Sequence, residues 1–341
     1  MKRKYDISLI RILATFAVIL LHTCSTLLDN PDKFLFSSSE GLFLEIVSYS
    51  MRWAVPVFFM LTGILLLDCS RVITAEICIK KYVFRMLLVL VIFGLPFAAI
   101  KDYMERRSID FQLVSNAVFA VINDDGWRHL WYIYYLIGLY LVLPVIKQFT
   151  DNSSGKDTTC ILLCLFFFCC VTPFIDAVAG TSIGVVVPFS YPIFYLMLGK
   201  KLSENNHKLL NNKLLIMGVL VLFITVLVLI EVFAHSVIDA VRAYDSPIIA
   251  VIASMVYLLF KDVDISEKNG QWLWQFDRMC FGAYIIHPVF IHLSYKFLGV
   301  TPLQFKLYPL FIMLFFLSFV LLAFGGSFVL RLIKPIRKYV L

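Results

Sequence analysis

Arg11 and His22 both lie within the apolar stretch Ile7–Leu28, which reads ISLIRILATFAVILLHTCSTLL. Their spacing of eleven residues, at about 100° each, ends about 20° past three full turns. On a helix they therefore share one face and stand about 16 Å apart along the axis. Thr15 and Val18 lie on the stripe between them. An arginine at the centre of a bilayer costs about 2.5–3.5 kcal/mol on insertion scales, and chains keep one where it faces a polar interior. A histidine takes and returns a proton near neutral pH, which suits general-base catalysis. The face carrying both residues is the first place to look for chemistry. A histidine simply bonded to a neighbouring helix is the plainer alternative.

Further candidates are spread along the chain. Arg52 opens the block RWAVPVFFMLTG at about the depth of His22, either as a site cation or as an arginine that snorkels to the interface. In the same block Pro56 removes a backbone hydrogen bond and can bend the helix, and Gly63 permits close approach of another helix. Lys81 and Arg85, in KKYVFRM, are four apart and share a face. With Lys80 they read either as topology anchors or as a cationic mouth for phosphates. The segment WRHLWYIYY supplies Arg128, His129 and Trp131, as part of an aromatic belt or as contacts to an external acceptor. Tyr284 and His287, three apart in FGAYIIHP, are helix neighbours. Pro288 after them is expected to make the backbone irregular, which is tolerated at membrane depth beside protein or a water-filled cavity. His292 reads as structural. Glu231, His235, Asp239, Arg242 and Asp245 read as a solvated outer loop, with sugar binding as the other reading.

The elements that must position these residues are membrane spans. The 341 residues are 61% hydrophobic and 16% charged, against roughly 45–50% and about 25% in soluble domains. The mean hydropathy is +0.88. Apolar stretches of roughly 17–25 residues mark spanning helices. They fall at 7–28, 44–67, 83–100, 130–147, 160–177, 184–200, 214–234, 246–260, 280–298 and 306–331. The expectation is an all-α polytopic membrane protein of about ten transmembrane helices, one integral-membrane domain over 1–341. The longest loop, 101–129, holds a candidate helix at Phe111–Ile122, lying on the membrane surface or packed on the bundle. With the N-terminus inside, 19 of the 30 Lys and Arg residues fall in cytoplasmic segments and 8 outside. By the positive-inside preference both termini are then cytoplasmic. The same distribution gives the net charge of +7 an ordinary cause and argues against a nucleic-acid partner. The N-terminus imitates a secretory signal, but its apolar run is long and ends TCSTLLDN without a small-residue cleavage pattern, so it reads as a retained helix. The eight cysteines form no CxxC pair and read as packing residues, so neither a disulfide nor a metal site is expected.

Taken together these blocks resemble the membrane acyltransferase-3 family. The resemblance runs through most of the chain, from Asp6 and RILATFAVILLH through RWAVPVFFMLTG, the basic start of the third span and HLWYIYYLIGLYLVLP to YPIFYLMLGK and FGAYIIHP. It is similar to short, standalone members that acetylate glycans. The resemblance implies transfer of an acyl group, commonly acetyl, from cytoplasmic acetyl-CoA to a hydroxyl of a carbohydrate or lipid-linked glycan across the bilayer. That in turn implies a multi-pass protein of the bacterial cytoplasmic membrane, with acyl-CoA as donor substrate and no metal. It matches His22 to the family's essential histidine and Arg11 to its paired arginine. It places Lys81 and Arg85 where basic residues meet CoA phosphates, although many members carry more arginines there. Tyr284 and His287 match the late motif. Arg52, His129 and Trp131 remain candidates for substrate binding. Two other readings stand beside this one: a secondary transporter of an anionic solute, which should show two related halves that this chain does not display, and a non-catalytic membrane subunit, which leaves the Arg11–His22 stripe without a role.

Overall fold

The computed structural model describes residues 5–181, 190–205 and 208–341. Lys2, Arg3 and Lys4 of the charge count, and residues 184–189 of the sixth expected span, lie outside the described residues. In chain order the helices are α1 (Tyr5–Leu28), α2 (Ser38–Ser50), α3 (Ala54–Leu66), α4 (Ala75–Arg106), α5 (Phe111–Ile122), α6 (Trp131–Asn152), α7 (Gly155–Ala179), α8 (Tyr191–Glu204), α9 (Lys213–Phe233), α10 (Ile238–Arg242), α11 (Pro247–Phe260), α12 (Glu267–His292), α13 (Tyr308–Leu332) and α14 (Lys334–Tyr339). There is no strand among the described residues. The protein is all-α and polytopic, as its composition requires.

By length and apolarity seven helical runs among the described residues can cross a membrane, or eight when α10 and α11, bent by 52°, count as one. The sequence reading of about ten included two more. The first, 184–200, corresponds to α8, which has 14 residues where it is described. The second, 280–298, is the apolar end of α12 and the π-helical turn Leu293–Phe297 after it. The first half of α12 reads EKNGQWLWQFDR, too polar for the run to qualify as a whole.

The chain divides into two compact units, Met1–Asp68 with Ser153–Ser327 and Cys69–Asn152 with Phe328–Leu341. In the first unit α1 and α12 run parallel, in step along their length. The Tyr5 ring lies against Gly270, Arg11 against Asp277, the His22 ring against His287, and Thr23 against Tyr295. Ile12, Ile19 and Leu27 of α1, Ala283 and Ile291 of α12, and Phe319 and Phe324 of α13 close one apolar core around this pair. α3 and α8 cross with their backbones almost touching. A Cβ on Gly63 would stand 1.8 Å from the Leu196 carbonyl oxygen, and one on Gly199 would stand 2.2 Å from that of Met60. Only glycine permits that approach at either position. Lysines cap helix ends: Lys213 donates to the carbonyls of Leu258 and Lys261, and the buried Lys261 donates to those of Leu202 and Asn205. Cations satisfy the free carbonyls of a helix C-terminus and its negative dipole end together.

Prolines shape both units. The expected span 44–67 is broken between α2 and α3 by a turn at Met51–Trp53. Pro56 has no N–H for the carbonyl four residues back, which is that of Arg52. The π-helical turns Leu90–Gly94 and Phe167–Val171 each end two residues before a proline, Pro96 and Pro173. A widened turn there relieves the clash between the proline ring and the preceding carbonyl. In the second unit, α5 is present at the predicted residues, Phe111–Ile122. It packs beside the end of α4 and leaves Phe111, Val114 and Phe119 exposed. Asp110 caps α5 through the Leu113 N–H and pairs with Arg106 of α4.

Candidate active site

The first unit brings His22, Arg11, Tyr284 and His287 onto one helix pair. The rings of His22 and His287 lie with centroids 5.1 Å apart, tilted by 42°. His287 is fully buried. Its Nδ1 stands 2.6 Å from the backbone carbonyl of Tyr284. A carbonyl only accepts, so Nδ1 carries the proton and Nε2 of the neutral ring keeps its lone pair. The reason is local. Pro288 lacks the N–H that would bond the Tyr284 carbonyl in a regular helix, and His287 supplies a donor in its place. The Tyr284 ring lies 6.0 Å from that of His287. The YIIHP block thus orients an imidazole through its own proline.

Arg11 is not a lone cation. Its guanidinium meets Asp277 of α12 at 2.5 Å, and Ser8 of α1 donates to the other carboxylate oxygen at 2.9 Å. The side chains are 27% and 11% exposed. Thr15, on the stripe, donates to the Arg11 carbonyl at 2.8 Å. Above it Val18 and Ala283 are buried. A charge within an apolar segment is costly unless paired, and Asp277 supplies the pair. Sequence reasoning passed over Asp277, although a signal was there. It precedes His287 by ten residues, a rise of about 15 Å, which nearly matches the rise of about 16 Å from Arg11 to His22.

Arg52 sits in the turn between α2 and α3, its guanidinium 4.5 Å from the centre of the Tyr244 ring. Its Nε is buried and has no hydrogen-bond partner among the described residues. Tyr195 donates to the Tyr244 carbonyl at 2.7 Å, which holds that loop to α8. A cavity of about 360 Å³ opens beside Tyr295, lined by Lys33, Lys296, Thr301 and Gln304. The Tyr295 hydroxyl donates to the Thr23 carbonyl at 3.2 Å, one residue beyond His22.

The other candidates belong to the second unit. Lys81 is exposed, with its ammonium 5.6 Å from the centre of the Tyr82 ring. Arg85 donates through Nε to the Val340 carbonyl at 2.8 Å, tying α4 to the C-terminal segment. His129 is buried, 6.0 Å from the Phe97 ring and 6.1 Å from the Trp127 ring, rather than presented outward. Trp131 packs edge-on against Tyr135 at 5.1 Å.

Against known families, the acyltransferase-domain profile of the acyltransferase-3 family matches residues 4–332. The chain belongs to that family. The match reaches into both units and takes in every candidate residue above. Neither a curated protein nor a solved structure matches the chain. As an acyltransferase-3 protein, the chain is a multi-pass membrane acyltransferase. On α1 and α12 the structure brings together two imidazoles, that of His287 with its Nδ1 on a backbone carbonyl, and an arginine paired with an aspartate.

Proposed function

We propose that this acyltransferase moves an acetyl group from acetyl-CoA to a hydroxyl of a carbohydrate or lipid-linked cell-envelope glycan, at the bacterial cytoplasmic membrane. The observation that carries the reading is the His22–His287 pair, held in register by Arg11 and Asp277 within an acyltransferase-3 match of nearly full length. His22 takes the proton of the acceptor hydroxyl as its oxygen attacks the thioester carbonyl. The tetrahedral intermediate collapses, breaking the C–S bond, and the departing CoA thiolate recovers the proton from the imidazolium. His287 acts as the partner that orients His22. The buried Nε–H of Arg52 is suited to holding a developing oxyanion or an acceptor oxygen. On the second unit, exposed Lys81 and neighbouring Arg85 are the candidates for CoA phosphates. The lysine-lined cavity beside Tyr295 is the candidate acceptor side.

The test uses purified protein and acetyl-labelled acetyl-CoA with a cell-envelope glycan extract. Wild type should release CoA and label glycan, and His22→Ala should do neither at an unchanged unfolding temperature. Full transfer by His22→Ala removes His22 from the mechanism. Mass spectrometry of envelope glycans from cells with and without the protein then identifies the acceptor, and identical spectra would count against a glycan.

A further inference from the structure

Glu231 lies in the last turn of α9 with its side chain fully buried. Its Oε1 lies 3.0 Å from Nδ1 of His235, which is 64% exposed. Glu45, from α2, completes a group whose three donor atoms all lie within 4.8 Å of one another. The sequence reading placed Glu231 in a solvated loop and anticipated no metal. The burial of Glu231 and the arrival of Glu45, distant in sequence, change that. Glu231 Oε2 is shut from water with no hydrogen-bond donor among the described residues. Two carboxyls side by side, one of them buried, cannot both stay ionised without a proton or a cation between them. Of the nearby arginines, Arg242 pairs with Asp239 and lies over the face of Tyr49, and Arg52 lies over the face of Tyr244.

We propose that Glu45, Glu231 and His235 form a divalent-cation site that takes Zn²⁺. Imidazole nitrogen with carboxylate oxygen is a first-row transition-metal donor set, and three protein ligands leave room for a fourth, from water. Bonds of about 2.0–2.2 Å around a tetrahedral ion put neighbouring donors roughly 3.3 Å apart, close to the 3.0 Å between Glu231 and His235. His235 gives the ion a route from solvent. The bound ion clamps α2 to the end of α9, and this role is independent of the transfer chemistry.

The experiment takes full-length protein without a polyhistidine tag, stripped with EDTA and dialysed in detergent. Zn²⁺ binding is read by titration calorimetry and metal content, and the unfolding temperature is recorded with and without the ion. Wild type should bind one equivalent and unfold several degrees higher with Zn²⁺. His235→Ala and Glu45→Gln should bind at least tenfold more weakly and lose the shift. His235 is largely exposed, so its variant keeps the test open if Glu231→Gln fails to fold. No saturable binding, or equal binding by wild type and His235→Ala, overturns the proposal and leaves the two carboxyls sharing a proton.

Discussion

Replacing Pro288 with alanine should stabilise the protein and slow it. Inside a helix proline is about 3 kcal/mol less favourable than alanine. Part of that penalty is an unbonded carbonyl, but here the Tyr284 carbonyl receives the His287 Nδ1–H. A hydrogen bond contributes about 1 kcal/mol net, so the substitution should recover about 2 kcal/mol rather than the full difference. The backbone N–H that alanine restores at this position then competes for the same carbonyl. As the bond to His287 weakens, the ring gains freedom to rotate and to exchange its proton between Nδ1 and Nε2. Losing half to all of that 1 kcal/mol in the transition state slows transfer roughly two- to fivefold, at 1.36 kcal/mol per factor of ten. The assay pairs thermal unfolding in detergent with initial rates of CoA release across pH. A higher unfolding temperature with a lower rate and an altered pH profile supports the reasoning. A more stable variant with the wild-type rate and profile shows that the carbonyl bond does not orient His287 for catalysis. A less stable one shows that the helix had no need of relief at this position.

Asp277→Ala should destabilise by about 2 kcal/mol, below the 3–5 kcal/mol typical of a fully buried pair because Arg11 is partly exposed. Arg11→Met with Asp277→Leu should restore most of it, and strictly additive unfolding energies for the two sites would rule out the coupling. Gly63→Ala should destabilise by about 3 kcal/mol or more, because its Cβ meets a backbone carbonyl that cannot yield. Gly138→Ala, inside α6 and with nothing within 4 Å of the added carbon, is the clash-free control in the same unfolding assay and should stabilise by up to about 1 kcal/mol. The Arg106 guanidinium and the Leu113 N–H hold the Asp110 carboxyl down to about 2. Its folded value lies below the unfolded one, so the capping of α5 is complete above the usual carboxylate range and is lost as pH falls through about 2. Protease sensitivity of the 107–110 connection should rise in that acid range, and Asp110→Asn should abolish that pH dependence.

Much of the fold was legible because the bilayer admits few solutions. Long apolar runs must be helices, and most expected spans appear within a few residues of where hydropathy put them. The differences arise where composition is a poor guide. α12 hides its membrane half behind a polar first half, and the Met51–Trp53 break is set by a missing N–H at Pro56, which hydropathy does not register. At the site, the shared face of Arg11 and His22 follows from helix geometry alone, but their partners do not. Asp277 is an unremarkable residue in DRMCF until α12 lies parallel to α1. Glu231 looked solvated because five ionisable residues follow one another closely there, whereas its burial depends on α2. His129 looked outward-facing among aromatics, whereas it is buried beside Trp127 of that block and Phe97 of α4.

The parallel course of α1 and α12 explains why an ion pair belongs so far from the imidazoles. Apolar helices sliding past each other in lipid gain little from any one register, because lipid tails are as apolar as leucine. A slip of one residue moves a side chain about 1.5 Å and turns it by about 100°, enough to separate two rings now 5.1 Å apart. The Arg11–Asp277 pair, with Ser8 on the same carboxylate, favours this register, because a slip parts the two charges within an apolar segment. On this account Arg11 acts through position rather than through its own charge on a substrate. Damage to the pair should then appear as lost transfer rate at the His22–His287 site more than as weakened donor binding.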